Sequence, residues 1–256
     1  MPVDHWFVAN TAKKLPKLTL FCFPYAGGGV STYANWHKYL SDDIEVVFVQ
    51  PPGRGVRLLD DLFDNMDDLM AELSHKILPK LNRPFAFFGH SLGSRVGFEL
   101  TKRLQQLRAP TPLHFFASGS RAPHVESRVE GWYLLPDSEF KAKLRELNGT
   151  PEDVLNNSEL MDIIMPMLRA DFKIADEYRA NRGKINCPIT VLRGTDDVDV
   201  SIDDTEAWSE LTNNFSGVHD VDGDHFFIDK SPEEVVGIVD EVLVKIAHSM
   251  AEPTTC

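Results

Sequence analysis

The feature that most constrains this chain is an apolar run that ends in a serine flanked by glycines. Residues 84–88 read Pro-Phe-Ala-Phe-Phe, typical of a buried strand, and residues 89–93 read Gly-His-Ser-Leu-Gly, which matches G-x-S-x-G. An amphipathic helix is predicted next, with apolar Val96, Phe98, Leu100 and Leu104. Strand, sharp turn and helix in this order form a nucleophile elbow. Ser91 is therefore the candidate nucleophile; the alternative is an ordinary exposed serine in a glycine-rich turn.

The composition limits the class of protein. With 256 residues, 43% of them hydrophobic, the chain can form one α/β domain with an insertion. A formal net charge of −13 argues against a nucleic-acid partner and against docking on an anionic membrane. Neither a membrane span nor a signal peptide is predicted. Cys22, Cys187 and Cys256 do not suggest a disulfide framework, which favours a reducing cytoplasm.

Strand patterns alternate with helical patterns over much of the chain. Strands are predicted at residues 18–23, 45–49, 85–88, 113–118, 188–193 and, as an edge strand, 218–221. Helices are predicted around Tyr33 and Trp36 with Ser31 or Thr32 as cap, over 65–81, over 203–211, and over 232–247 with Ser231 as cap. The first dozen residues and residues 250–256 are expected to be frayed. The alternation predicts a mostly parallel central sheet with helices on both faces.

The alternation is interrupted at about residues 121–185, where no strand is predicted. Helices are expected there over residues 138–147, from residue 151, and over residues 159–178, with Pro166 kinking or splitting the last. We expect this insertion to form a helical lid over the site, within a single α/β domain spanning residues 1–256. Met161, Met165 and Met167 could line an adaptable acyl pocket or belong to ordinary core packing.

A second glycine-rich loop, residues 24–29 (Pro-Tyr-Ala-Gly-Gly-Gly), follows the first predicted strand. Such a loop can cradle a phosphate, but it lacks the lysine of the P-loop and does not fit G-x-G-x-x-G. It can also present a backbone N–H as half of an oxyanion hole. With an elbow serine downstream, the amides of Ala26 and Leu92 are the candidate donors.

The candidate acid and base lie in the two loops that follow the last predicted strands. An acid must fix the imidazole tautomer and stabilise the imidazolium. In proteins with a nucleophile elbow, the order along the chain is serine, then the acid, then the histidine. Asp197 is chosen as the acid, with Asp196 and Asp199 as alternatives. His225 is chosen as the base, because it lies in a glycine-containing loop immediately before apolar residues. The eight other histidines lack such a setting. No H-x-H or H-E-x-x-H spacing occurs, so no metal site is predicted.

Two arginines in the turn over residues 50–57 have two interpretations. Arg54 and Arg57 either pair with nearby acids, Asp60, Asp61 and Asp64, or one of them meets a phosphate on the substrate. The sequence leaves both open.

Several motifs are spread over residues 18–247: Phe23-Pro24-Tyr25-Ala26-Gly27-Gly28, Gln50-x-Pro52-Gly53-Arg54-x-x-Arg57, Phe88 to Gly93, Phe116 to Pro123, Gly194-x-x-Asp197 with Ala207-Trp208, and Gly223 to Phe227. In these motifs the chain resembles type II thioesterases of nonribosomal peptide or polyketide synthesis. The resemblance implies an α/β-hydrolase fold with Ser91, Asp197 and His225 as catalytic triad and the amides of Ala26 and Leu92 as oxyanion hole. The chain departs from the family at Tyr25, Leu92 and Asp224, where His, Met and Gly are usual.

The resemblance also implies a reaction. Such enzymes release acyl groups from the phosphopantetheine arm of acyl- or peptidyl-carrier protein domains, through an acyl-serine and without a cofactor of their own. A cytoplasmic monomer is expected. A carboxylesterase or lipase of the same fold, a non-catalytic carrier- or acyl-binding module, and acyl transfer to an acceptor other than water remain alternatives.

Overall fold

In the computed structural model, a seven-stranded sheet runs through the centre of the protein; the structure describes residues 5–9, 15–126 and 131–250. The strands are β1 (Phe7–Ala9), β2 (Leu18–Phe23), β3 (Ile44–Val49), β4 (Phe85–His90), β5 (Phe115–Ser118), β6 (Ile189–Gly194) and β7 (Phe215–Val221). They lie in the order β1-β3-β2-β4-β5-β6-β7, and in the described ranges β1 alone runs antiparallel to its neighbour. The predicted mostly parallel sheet is confirmed.

Helices cover both faces of the sheet because its central strands are apolar on both sides. In β2, Phe21 and Phe23 point into one hydrophobic cluster, while Leu18, Leu20 and Cys22 point into the other. Helices α1 (Met66–Ile77) and α2 (Leu92–Gln106) pack into the first cluster, and α8 (Pro232–Ser249) packs into the second. The candidate nucleophile therefore follows a strand of a sheet that helices cover on both faces.

The remaining helices are shorter, except for one in the insertion. They are α3 (Asp137–Leu147), α4 (Glu152–Leu155), α5 (Ser158–Glu177), α6 (Ile202–Glu206) and α7 (Phe227–Lys230). Several begin at side chains that accept a backbone N–H, namely Asn65 at α1, Asn157 at α5 and Ser201, in a capping box with Asp204, at α6. These caps satisfy amides that a helix cannot pair internally.

The segment between β5 and β6 contains α3, α4 and α5 and has its own apolar cluster. Met161, Met165 and Met167 are buried in that cluster, so they belong to core packing. Helix α5 continues through Pro166, and the expected split is not observed. Residues 127–130 of the predicted lid range lie outside the described residues.

The expectation of a frayed N-terminal dozen was wrong for residues 5–9. Strand β1 pairs with β3, and Trp6 is buried, with the Arg57 guanidinium 4.1 Å from the centre of its ring. The Gln50 N–H also donates to the Trp6 carbonyl (2.8 Å). The partners lie about forty residues away, so a local pattern did not reveal them. Of the other residues predicted to be frayed, Met250 caps the end of α8, and residues 1–4, 10–12 and 251–256 lie outside the described residues.

Two helix predictions also need correction. The region of Tyr33 and Trp36 forms two short 3₁₀ turns, Val30–Tyr33 and Trp36–Lys38, instead of an α-helix. Both aromatic rings are buried, and the Tyr33 hydroxyl donates to the Phe23 carbonyl (2.7 Å), so packing fixes the local backbone. At α8, the Ser231 side chain makes no capping hydrogen bond, although Pro232 does occupy the first turn.

Two cysteines, Cys22 and Cys187, are free and buried. Burial raises the pKa of both thiols, that of Cys187 to about 12, so neither is a reactive thiolate at neutral pH. Cys256 lies outside the described residues. No helix in the described part of the chain is both long and apolar enough to cross a membrane.

Candidate active site

Ser91 occupies a strained turn between β4 and α2. Its backbone has φ 53° and ψ −116°, a conformation that costs energy for any residue with a Cβ atom. The flanking glycines make the turn possible, because a Cβ on Gly89 would lie 2.2 Å from the Gly93 carbonyl oxygen, and one on Gly93 would lie 2.1 Å from that of Phe23. The Ser91 N–H donates to the Ser118 carbonyl (2.8 Å), which ties the turn to β5. The serine hydroxyl is thus held at the carboxyl end of the sheet.

The structure brings Ser91, His225 and Asp197 into one hydrogen-bonded chain. The Ser91 hydroxyl lies 3.0 Å from His225 Nε2, and His225 Nδ1 lies 2.7 Å from Asp197 Oδ2. Because a carboxylate only accepts, Nδ1–H donates to Asp197, which leaves Nε2 free to accept the serine proton. The Asp197 side chain is fully buried, whereas the histidine remains partly accessible.

The two alternative acids are placed elsewhere. Asp196 and Asp199 are both exposed, and the Asp199 N–H donates to Asp197 Oδ1 (2.9 Å). Both carboxylate oxygens of Asp197 are therefore engaged, one by the loop and one by the imidazole. Asp224, which stands next to His225, bonds to the Phe226 N–H and to the Lys230 ammonium.

The candidate oxyanion donors are the backbone amides of Ala26, in the glycine-rich loop, and Leu92, which directly follows Ser91. Leu92 is the first residue of α2, where backbone N–H groups have no partner inside the helix. Ala26 lines the same cavity as Ser91 and His225. The end of a helix dipole at Leu92 adds to the preference for negative charge at this point.

A cavity of about 340 Å³ opens at Ser91 and His225. Its lining includes large apolar side chains, the first three of which come from the segment between β5 and β6: Trp132, Leu147, Phe172, Val198, Val200 and Phe226. The predicted methionines are not among them. The lining is suited to an apolar chain attached to a reactive carbonyl.

One charged lining residue, Arg95, was missed by the sequence prediction. It lies one helical turn after Ser91, where only an amphipathic pattern was visible. Burial, with the nearby cations Arg121 and Arg179, lowers the pKa of Arg95 to about 9, so the guanidinium is still protonated at neutral pH. It donates to the Ala175 carbonyl, while none of the described residues accepts a hydrogen bond from its Nε.

Arg54 and Arg57 both make internal contacts, which favours the structural interpretation. Arg57 donates to Asp60 Oδ2 (2.7 Å) and to the Gln50 carbonyl (3.0 Å). Arg54 pairs with none of the acids considered from the sequence but with Asp171 of α5 (2.9 Å). Among the described residues, no group of three or more His, Cys, Asp or Glu side chains is arranged to hold a metal ion.

Comparison with known families and proteins gives evidence that is independent of the geometry of the site. A family model described as a thioesterase domain matches residues 18–243. The chain is similar to the gramicidin S biosynthesis protein GrsT of Aneurinibacillus migulanus, with 40% identity over 235 residues that cover 91% of this chain and 92% of GrsT.

Solved structures of proteins from biosynthetic pathways are also similar to this chain. ClbQ from the colibactin NRPS/PKS pathway superposes with a TM-score of 0.85 at 33% identity, covering 92% of this chain and 100% of ClbQ. The type II thioesterase BorB from the borrelidin biosynthetic cluster superposes with a TM-score of 0.82 at 29% identity, covering 94% of this chain and 97% of BorB.

Proposed function

This chain belongs to the thioesterase family, and we propose that it hydrolyses acyl thioesters carried on the phosphopantetheine arm of carrier-protein domains, with Ser91, His225 and Asp197 as the catalytic triad. The observation that carries this proposal is the hydrogen-bonded chain from Ser91 Oγ through the His225 ring to Asp197, at a cavity large enough for an acyl group. The carrier-protein substrate is supported by the biosynthetic pathways to which GrsT, ClbQ and BorB belong.

The acylation half-reaction begins at the serine. Ser91 Oγ attacks the thioester carbonyl carbon while its proton passes to His225 Nε2, 3.0 Å away. Asp197, 2.7 Å from Nδ1, stabilises the imidazolium that forms. The C–S bond then breaks, and His225 Nε2–H protonates the leaving pantetheine thiolate. The acyl group remains as an ester on Ser91.

Deacylation reverses the roles with water as the nucleophile. His225 Nε2 removes a proton from the water, whose oxygen attacks the acyl-serine carbonyl carbon. The carboxylic acid leaves, and the proton returns through His225 to Ser91 Oγ. In both halves, the amides of Ala26 and Leu92 stabilise the oxyanion, each by ~3 kcal/mol in the transition state.

The insertion serves as a lid in this proposal. Trp132, Leu147 and Phe172 come from it and line the cavity together with Ser91 and His225. An acyl chain bound against these side chains is shielded from water, which strengthens the interactions that stabilise the oxyanion. The acyl group is thereby selected by the fit of its apolar part to this cavity.

The test is hydrolysis of an acyl-loaded carrier protein by Ser91→Ala, with the exposed Ser209→Ala as matched control. S91A should release acyl groups at least ~10³-fold more slowly, while S209A should match the unaltered protein. Mass spectrometry of the unaltered protein during turnover should detect one acyl group, attached to Ser91. Retained activity in S91A would contradict the acyl-serine route, and a strong preference for an oxygen ester of the same acyl group would favour an esterase instead.

A further inference from the structure

We propose that His90, the residue directly before the nucleophile, is a positioning residue that holds the general base in place by binding the backbone carbonyl of His225. This inference rests on the proposed function, because it assigns the base to His225. In the sequence, His90 is merely the variable position of the G-x-S-x-G motif.

The contact is direct and buried. The His90 side chain is inaccessible to solvent, its Nε2 lies 2.8 Å from the His225 carbonyl oxygen, and its Nδ1 lies 2.9 Å from Ser118 Oγ. A carbonyl oxygen only accepts, so Nε2 carries the proton and Nδ1 accepts from the Ser118 hydroxyl. One neutral tautomer therefore satisfies both contacts.

The neutral form is also the one that the surroundings favour. Burial lowers the pKa of His90 well below 6.5, and the charge of His225 lowers it further, while the hydrogen bond to the His225 carbonyl offsets only part of this lowering. His90 therefore stays uncharged when His225 becomes an imidazolium during turnover. A second cation at this distance, 5.4 Å between ring centres, would oppose formation of that imidazolium.

The His90 ring itself has little freedom. A Cβ on Gly119, whose φ is +53°, would lie 2.5 Å from His90 Cε1. The backbone directly after β5 therefore packs tightly against one side of the ring. The rings of Tyr25 and Phe227 pack edge-on against it, with centres 5.9 Å and 5.2 Å away. A fixed donor thus sets the position of the His225 backbone, and with it the 3.0 Å approach of Nε2 to Ser91 Oγ.

A matched control exists in the same sheet. His114 is also buried and also bonds a hydroxyl, with Nε2 2.8 Å from Thr190 Oγ1. It precedes β5, whereas Ser91, Asp197 and His225 follow the carboxyl ends of their strands. Replacing His114 therefore removes a comparable buried contact at the opposite end of the sheet from the triad.

The experiment compares His90→Phe, His90→Gln and His114→Phe on one acyl thioester, with rates expressed per folded enzyme. H90F should lower kcat roughly 10- to 100-fold and leave KM within about threefold of its original value. A displaced base slows the chemical step but does not weaken substrate binding. H90Q, whose amide N–H can reach the carbonyl, should recover at least about half of that loss on a logarithmic scale. H114F should keep kcat within about threefold.

A spectroscopic measurement separates positioning from general destabilisation. The proton shared by His225 Nδ1 and Asp197 should give a downfield NMR resonance in the unaltered protein and in H114F, and this resonance should shift or exchange away in H90F. If H90F does not fold, H90Q against His90→Asn, whose shorter side chain does not reach the carbonyl, supplies the same comparison. Equal kcat for H90F and H114F, or an unchanged resonance in H90F, would overturn the proposal. Failure of the unaltered protein to hydrolyse the thioester would instead count against the proposed function.

Discussion

The Asp171 carboxylate of α5 accepts a hydrogen bond from the Gly27 N–H (2.8 Å), next to the candidate oxyanion amide of Ala26. Its other oxygen pairs with Arg54 (2.9 Å), whose guanidinium also donates to the Gly28 carbonyl (2.9 Å). Both side chains are about nine-tenths buried. One ion pair therefore joins the insertion, the turn after β3 and the glycine-rich loop.

Breaking this pair should affect stability and catalysis together. In Asp171→Asn, Arg54 keeps its buried charge without a counterion, and we expect a loss of about 3 kcal/mol in the free energy of unfolding. The Gly27 contact should weaken as well, lowering kcat roughly tenfold. Glu152→Gln, which removes the exposed pair with Arg145, is the control and should change neither quantity measurably. An unchanged kcat in D171N would contradict the link to the oxyanion loop.

The choice of Asp197 among three neighbouring aspartates can be tested by amide substitution. Asp197→Asn should lower kcat by ~10³-fold or more, because the amide no longer holds His225 in the tautomer that accepts the serine proton. Asp196→Asn alters an exposed side chain and should stay within about threefold. Steady-state kinetics on one thioester measure both, and a larger loss in D196N would reverse the assignment.

The elbow glycines should not tolerate a methyl group. In Gly93→Ala, the new Cβ would meet the Phe23 carbonyl oxygen at 2.1 Å, and we expect destabilisation of about 2–3 kcal/mol with loss of activity. Gly237→Ala in α8 meets no heavy atom within 4 Å and should instead stabilise the protein by about 0.5–1 kcal/mol. Urea denaturation measures both, and tolerance of G93A would mean that the turn is less crowded than the structure indicates.

Two buried histidines should make the fold sensitive to acid. Burial lowers the pKa of His114 to about 4 and that of His90 well below 6.5. Below about pH 6.5 the unfolded chain therefore binds protons that the native state excludes, so the free energy of unfolding falls as the pH drops, by ~1.4 kcal/mol per pH unit for each ring.

Denaturant titrations between about pH 5 and pH 8 measure this dependence. His114→Phe removes one of the two rings and should lower the slope below pH 6.5 by ~1.4 kcal/mol per pH unit. For His114 the effect should level off near pH 4. An unchanged slope in H114F would show that this ring is protonated in the native state.

The elements that position the nucleophile were predictable because their patterns are local. An apolar run, two glycines and a 3.6-residue period identified β4, the turn at Ser91 and α2. The order of motifs along the chain also selected His225 and Asp197, which the structure brings together with Ser91.

Contacts between distant segments were not predictable in this way. Arg54 was considered against acids within ten residues, but its partner, Asp171, is 117 residues away. Trp132 and Phe172 line the cavity only because the insertion packs near Ser91 and α2, which lie far from it in the sequence. His90 gave no sign of its contact with His225, 135 residues later, because the pattern G-x-S-x-G leaves that position unspecified. Such pairings depend on how whole helices and strands are arranged, and a local sequence pattern does not contain that information.

The short N-terminal strand also shields its neighbour from other molecules. Strand β3 reads Ile-Glu-Val-Val-Phe-Val, and β1 occupies the one side of it that β2 leaves open. Without β1, a row of free N–H and C=O groups on an almost wholly apolar strand would be available to a second chain. Removal of residues 1–9 is therefore expected to promote self-association before it harms the chemistry at Ser91.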